Sequence, residues 1–258
     1  MEKYIGVMMA AMLVFSGCGS QESATVQNSA PASSENIPKV AAPSNGALQG
    51  SGGIQGTVKF TGKAPIRESL QMSADPFCAA NAGADAVNEA LVVNENGTLR
   101  NAFVYIKDGL GSRVYEAPAS TVTLDQQGCR YYPHVVGIQV GQPVEIINSD
   151  STLHNVHAMP KESKEFNLGM PLKGMKIKKT FTAPEMGVRF KCDVHPWMSA
   201  YANVMSHPFF AVTGDDGVFE IKGLPPGDYT VAVWHETLGE RETSVLVEAS
   251  VVSLDLVF

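Results

Sequence analysis

Phe190-Lys191-Cys192-Asp193-Val194-His195-Pro196-Trp197-Met198 is the stretch on which the reading of this chain turns. Just before and into it, Val188, Phe190 and Cys192 alternate with Arg189, Lys191 and Asp193. A period of two marks a strand with one face inward, which puts Cys192 on the same buried face as Val188 and Phe190. The strand must then end. Pro196 favours a turn, and a loop leaving a strand end can fold His195 and Met198 back toward the sulfur. A thiol, an imidazole and a thioether at intervals of three would then converge on one point.

Working outward, the same alternation recurs. Val136, Ile138 and Val140 alternate with Gly137, Gln139 and Gly141, and Val144-Glu145-Ile146 resumes after a Gly-Gln-Pro turn. At the C-terminal end Val252, Leu254, Leu256 and Phe258 alternate with Ser253, Asp255 and Val257, which predicts one strand there. Gly214-Asp215-Asp216-Gly217 and Pro225-Pro226-Gly227-Asp228 read as turns. No long stretch has helical periodicity, so an all-β fold of one or two sandwiches is expected. Well upstream of Cys192, a strand ending in Asn148-Ser149-Asp150 is followed by Leu153-His154-Asn155-Val156-His157.

Of the 258 residues, 44% are apolar, enough for a packed core. The formal net charge of -7 and the scatter of basic residues argue against a nucleic-acid partner, which needs a basic face to meet phosphates. Lys3 precedes an apolar run from Tyr4 to Phe15, then Ser16-Gly17-Cys18. The run is too short to span a bilayer, so residues 1–17 read as a signal peptide. Small residues before a cysteine resemble the bacterial lipobox, which implies lipidation of Cys18 and anchoring to a membrane, the outer membrane being the expected one. Phe15 departs from the usual Leu of that pattern, and a plain secretory signal is the alternative. Either reading exports the protein to the cell envelope or periplasm. Residues 18–52, rich in Ser, Ala, Gly, Asn and Pro, read as a flexible tether spanning about 30 to 35 Å as a coil.

Three cysteines remain beyond Cys18: Cys78, Cys129 and Cys192. An oxidising compartment favours one disulfide and leaves one thiol over. Cys192 alone has ligand-type neighbours, so Cys78–Cys129 is the expected pair, out of three that the sequence permits.

A thiolate and a thioether suit Cu(I), and imidazole suits either copper oxidation state. The Cys192-His195-Met198 loop with His154 upstream resembles the cupredoxins, the plastocyanin-like blue-copper family, and its short spacing is closest to amicyanin. That resemblance covers roughly residues 117–206. It implies a Greek-key β-sandwich and one type 1 copper held by His154, Cys192, His195 and Met198. It also implies that Asn155 holds the ligand loops together next to the thiolate. His157 is the alternative to His154. Trp197, beside His195, is either loop packing or part of a docking patch for a redox partner. Met159, Met170, Met175, Met186 and Met205 read first as core filling and otherwise as extra Cu(I) contacts. His134, His207 and His235 have no assigned role, although a second metal site among them is conceivable.

The stretches Gly214–Ile221 and Gly223–Val231, together with Gly56–Pro65 and Ala102–Ile106, resemble carboxypeptidase regulatory-like (transthyretin-like) modules. The resemblance implies a second β-sandwich split between residues 53–116 and 207–258, with the cupredoxin sandwich inserted in it or joined to it. The alternative is a single enlarged cupredoxin. The functional expectation is a carrier of single electrons between a protein donor and a protein acceptor, without catalysis. Copper delivery, storage or resistance is the alternative, and a copper enzyme of nitrogen-oxide chemistry comes third.

Overall fold

The structure is a computed structural model that describes residues 50–83 and 86–258. The signal peptide, Cys18 and the tether up to residue 49 lie outside the described residues. Strand β1 (Gly52–Lys59) opens the fold and takes up the last position expected for the tether, followed by helix α1 (Pro76–Asn81) and β2 (Phe103–Asp108). Nine strands come next: β3 (Val122–Gln127), β4 (Arg130–Tyr132), β5 (Val135–Gln139), β6 (Val144–Asn148), β7 (His154–Met159), β8 (Phe166–Met170), β9 (Lys176–Lys179), β10 (Glu185–Lys191) and β11 (Ser199–Met205). The chain closes with β12 (Phe210–Val212), β13 (Val218–Leu224), β14 (Gly227–His235), β15 (Gly239–Val247), β16 (Val251–Ser253) and β17 (Leu256–Val257). The fold is all-β but for one short helix among the described residues.

Strands β3 to β11 form two sheets, ordered β5-β11-β10-β7-β8 and β4-β3-β6-β9. The pairs β3–β6 and β5–β11 are parallel and the others antiparallel, so the chain crosses between sheets rather than running as a meander. Their inner faces share a core that includes Leu124, Ile138, Ile146, Val156, Phe181, Val188 and Phe190. Strand β10 buries Val188 and Phe190 and turns Arg189 to solvent, as its alternation predicts. The remaining strands form sheets β13-β1-β16, with β17 also on β1, and β12-β2-β14-β15. Ile54, Leu99, Val104, Phe219, Ile221, Val231 and Val233 lie in the core between them.

Two expectations need correction. Residues 67–83 and 86–88, grouped by sequence with the flanking module, send Met72, Cys78 and Ala86 into the core of the other sandwich, which also holds Leu124 and Phe190. The Cys78–Cys129 disulfide holds this segment there. The last strand expected from Val252 to Phe258 is instead two short strands, both pairing with β1. Asp255 sits in the gap: its carboxylate accepts Thr57 N–H at 3.0 Å and binds Lys59 Nζ at 2.6 Å, so a side chain replaces the backbone acceptor of the ladder.

The alternating residues of β5 also depart from a simple half-buried pattern. Val136 and Ile138 face the site core, while Val135 packs outward with Phe103, Tyr105, Met205 and Ala232 between the two sandwiches. Gly137 faces the same way, and a Cβ there would lie 2.4 Å from the Phe210 ring. Glycine is needed at that point because the sandwiches approach closely.

Candidate metal centre

Strands β7 and β10 are antiparallel neighbours, with Lys191 opposite His157. The start of β7 therefore lies at the same end of the sheet as the exit of β10, which brings His154 near Cys192. The loop after β10 is fixed by its backbone. Met198 N–H donates to His195 O at 3.0 Å and Cys192 N–H to Met198 O at 3.3 Å, so the loop closes on itself and turns its side chains inward.

The side chains meet as follows. His154 Nδ1 and His195 Nδ1 lie 2.9 Å apart, and Cys192 Sγ lies 3.8 Å from His195 Nδ1. His154, Cys192 and His195 form a set whose potential ligand atoms all fall within 4.8 Å of one another. The Met198 side chain is buried in the same core as Cys192. Exposure is 0% for His154, 2% for Cys192 and His195 and 1% for Met198, so this set is closed to bulk water.

Polar support comes from every side. Asn155 N–H points at Cys192 Sγ from 3.5 Å and His195 N–H from 3.3 Å. The Asn155 side-chain oxygen accepts Asp193 N–H at 2.5 Å and Val194 N–H at 3.3 Å, which ties β7 to the ligand loop. Burial pushes the Cys192 thiol up, but hydrogen bonds from His154 and from the Asn155, His195 and Val194 N–H groups bring it below the usual thiol range. Burial likewise pushes His154 down, yet Asp150 and Cys192 outweigh it and raise the imidazole to about 9.

Two partners had no signal recognised in the sequence. Asp150 Oδ2 accepts from His154 Nε2 at 2.9 Å, and Asp75 Oδ2 from His195 Nε2 at 3.0 Å. Each imidazole thus presents Nδ1 inward while a carboxylate fixes its outer nitrogen, which sets ring orientation and tautomer. Asp75 also caps α1 by accepting Cys78 N–H at 3.0 Å. That backbone bond, opposed by burial and aided by His195, lowers its carboxyl to about 2. Asp150 stands four residues before His154 at a strand end, a position that could have flagged it. Asp75 is far away in sequence and no pattern points to it.

Other candidates fall elsewhere. His157 is half-buried on the outer face, held by Asp193 at 3.0 Å and Glu165 at 2.7 Å, and does not join the cluster. Strand alternation explains this, since His157 is three residues from His154. Trp197 is half-buried; its indole N–H donates to Cys129 O at 3.0 Å and its ring centroid lies 5.0 Å from that of His195. His134 pairs with Glu236, His207 Nδ1 accepts Phe209 N–H, and His235 Nδ1 accepts Thr237 N–H. Among the described residues these three join no His, Cys or carboxylate metal cluster. Met170 is buried and accepts from Gln126 Nε2 at 2.9 Å, and Met205 packs between the sandwiches, so both serve the core.

The donor chemistry fits copper. Two neutral-capable imidazole nitrogens, a thiol biased toward thiolate and a buried thioether are ligands acceptable to both Cu(I) and Cu(II). Several solved structures are similar to part of this chain. A copper-containing nitrite reductase from Thermus scotoductus SA-01 matches at 26% identity over 38% of this chain and 25% of its own, with a TM-score of 0.32. A purple cupredoxin from Nitrosopumilus maritimus matches at 24% over 32% of this chain and 98% of its own, with a TM-score of 0.28. A Cu(I) form of an amicyanin variant matches at 23% over 39% of this chain and 97% of its own, with a TM-score of 0.30. This chain thus covers a quarter of the length of the nitrite reductase. No family model and no curated protein matches the sequence.

Proposed function

We propose that this chain is a cupredoxin-type protein with one type 1 copper held by His154, Cys192, His195 and Met198, and that it carries single electrons between two protein partners. The observation that carries the proposal is the convergence of two imidazole Nδ1 atoms on a thiol of lowered pKa inside a closed core. Copper bound there supplies a one-electron couple. The protein's part is to hold the donors still. Asp150 and Asp75 lock the two rings, Asn155 clamps the loop, and the N–H groups of Asn155 and His195 temper the charge on sulfur. Donors anchored at strand ends keep their places when charge changes, which keeps reorganisation small.

Closure supports a carrier over an enzyme. Metal-assisted hydrolysis or reduction of a small molecule needs an open coordination position, and four buried protein donors leave none. Closure also counts against ready surrender of copper to a delivery partner, because the disulfide-pinned segment lies over the imidazole edge. In this proposal Cys18 carries the lipid anchor at the cell envelope, the half-buried Trp197 ring forms part of the docking face, and the flanking sandwich is a transthyretin-like module.

The test is the visible absorption of the protein loaded with Cu(II). An intense blue band that bleaches on reduction and returns on oxidation is expected. A protein that binds copper but stays colourless through the cycle would sink the electron-carrier reading in favour of copper handling.

A further inference from the structure

Both imidazoles of the candidate centre carry a carboxylate on the outer nitrogen, which is more than holding a ring in place requires. Asp150 Oδ2 accepts from His154 Nε2 at 2.9 Å and Asp75 Oδ2 from His195 Nε2 at 3.0 Å. A neutral acceptor also orients a ring, as the Ile106 backbone does for the buried His207. What the carboxylates add is charge. Their other donors are neutral, among them the Gly128 and Cys129 N–H groups on Asp150 and the Cys78 N–H and Thr152 hydroxyl on Asp75. Neither is an open surface group, since the Asp150 side chain is 7% exposed and that of Asp75 21%.

We propose that Asp75 and Asp150 act as a charged pair that sets the reduction potential of the copper couple low, with the larger share from Asp150. This rests on the electron-carrier reading and adds to it the residues that tune the couple and the direction in which they push. The Cys192 thiolate and the two carboxylates bring three negative charges to a buried centre. Cu(II) leaves one of them uncompensated and Cu(I) leaves two, so the oxidised form is the better matched. In an interior of low dielectric constant that difference is felt strongly.

The N–H groups of Asn155 and His195 that point at Cys192 Sγ push the other way, but they are dipoles set against whole charges. Hydrogen bonds to the carboxylates also make the imidazoles more basic ligands, which again favours Cu(II). Asp75 is the more exposed of the two, so solvent screens more of its charge. The couple is thereby drawn toward Cu(II). The reduced protein gives its electron up readily and takes it from a strongly reducing donor.

The test measures the Cu(II) and Cu(I) affinities of the full chain separately, each by chelator competition, and takes their ratio, which is the potential in another form. Asp150→Asn keeps an acceptor oxygen and removes the charge. It is expected to lower the ratio of Cu(II) to Cu(I) affinity about tenfold, a rise in potential of about 59 mV. Asp75→Asn should lower the ratio about threefold, and Asp75→Glu, which keeps the charge, should stay near the wild type. An unchanged ratio in either Asn variant, or Asp75→Glu moving as far as Asp75→Asn, would overturn the proposal and leave the carboxylates as ring holders. Loss of binding of both ions in Asp150→Asn would overturn it too, because Asp150 would then build the site rather than tune it. The electron-carrier reading fails separately, through a wild-type chain without the blue band, and the affinity ratios are read whatever the colour.

Discussion

The two sandwiches of this molecule both bury histidines, yet only one turns them into a candidate site. In the flanking sandwich and its edges, His207 and His235 are each absorbed singly by a nearby backbone N–H, and aromatic rings pack around them. In the site sandwich, His154 and His195 face each other across 2.9 Å with a thiol beside them, and their outer nitrogens are held by carboxylates. Burial is common to both. What differs is convergence, and the presence of a second partner that frees Nδ1 to face inward. A buried histidine is therefore not a site until something else satisfies its far side.

That contrast can be broken most severely at Cys192. Cys192→Ser is expected to abolish the blue absorption while thermal unfolding stays cooperative, because serine nearly matches the thiol in size. A variant that stays blue would remove Cys192 from the ligand set.

The opposite change belongs to the flanking core. Phe219 is 2% exposed there, and Phe219→Ala should cost about 3–5 kcal/mol in urea unfolding. The copper spectrum of the folded fraction should not move, since Phe219 touches the other core; a shifted band would show that the two sandwiches are coupled.

His207 separates the sandwiches by pH. Burial pushes it from 6.5 down to about 4, so the folded chain keeps it neutral where the unfolded chain takes up a proton. Its contribution is complete above about pH 6.5 and declines as pH falls toward 4, by ~3 kcal/mol at most. Urea unfolding at a series of pH values checks this, and His207→Gln should flatten the decline.

The smallest effect is the one that tests the role of the carboxylates. Asp150→Asn keeps the shape of the contact to His154 but removes the charge, and should weaken copper affinity by about 10- to 100-fold. A chelator competition measures it. An unchanged affinity would make Asp150 a partner of the Gly128 and Cys129 N–H groups alone.

Much of the site was legible because its residues are close in sequence and lie on one strand and its loop. Alternation through Val188, Phe190 and Cys192 announced the buried face, and the chemistry of Cys192, His195 and Met198 announced the kind of ion. His157 could not be separated from His154 by residue type, since strand facing decides which imidazole turns inward. Residues 67–83 and 86–88 were misplaced for a similar reason. Their sequence has no alternation, and their allegiance follows from Met72, Cys78 and Ala86 entering the site core.

By itself, then, the sequence determined an all-β chain with a soft donor set at one strand end, because periodicity and residue chemistry are local properties. Only the tertiary structure decided that Asp75 holds His195 and that a disulfide lies across both rings. These are contacts between segments far apart along the chain. They depend on how sheets stack and which segment covers the end of the sandwich, and no spacing in the sequence encodes that distance.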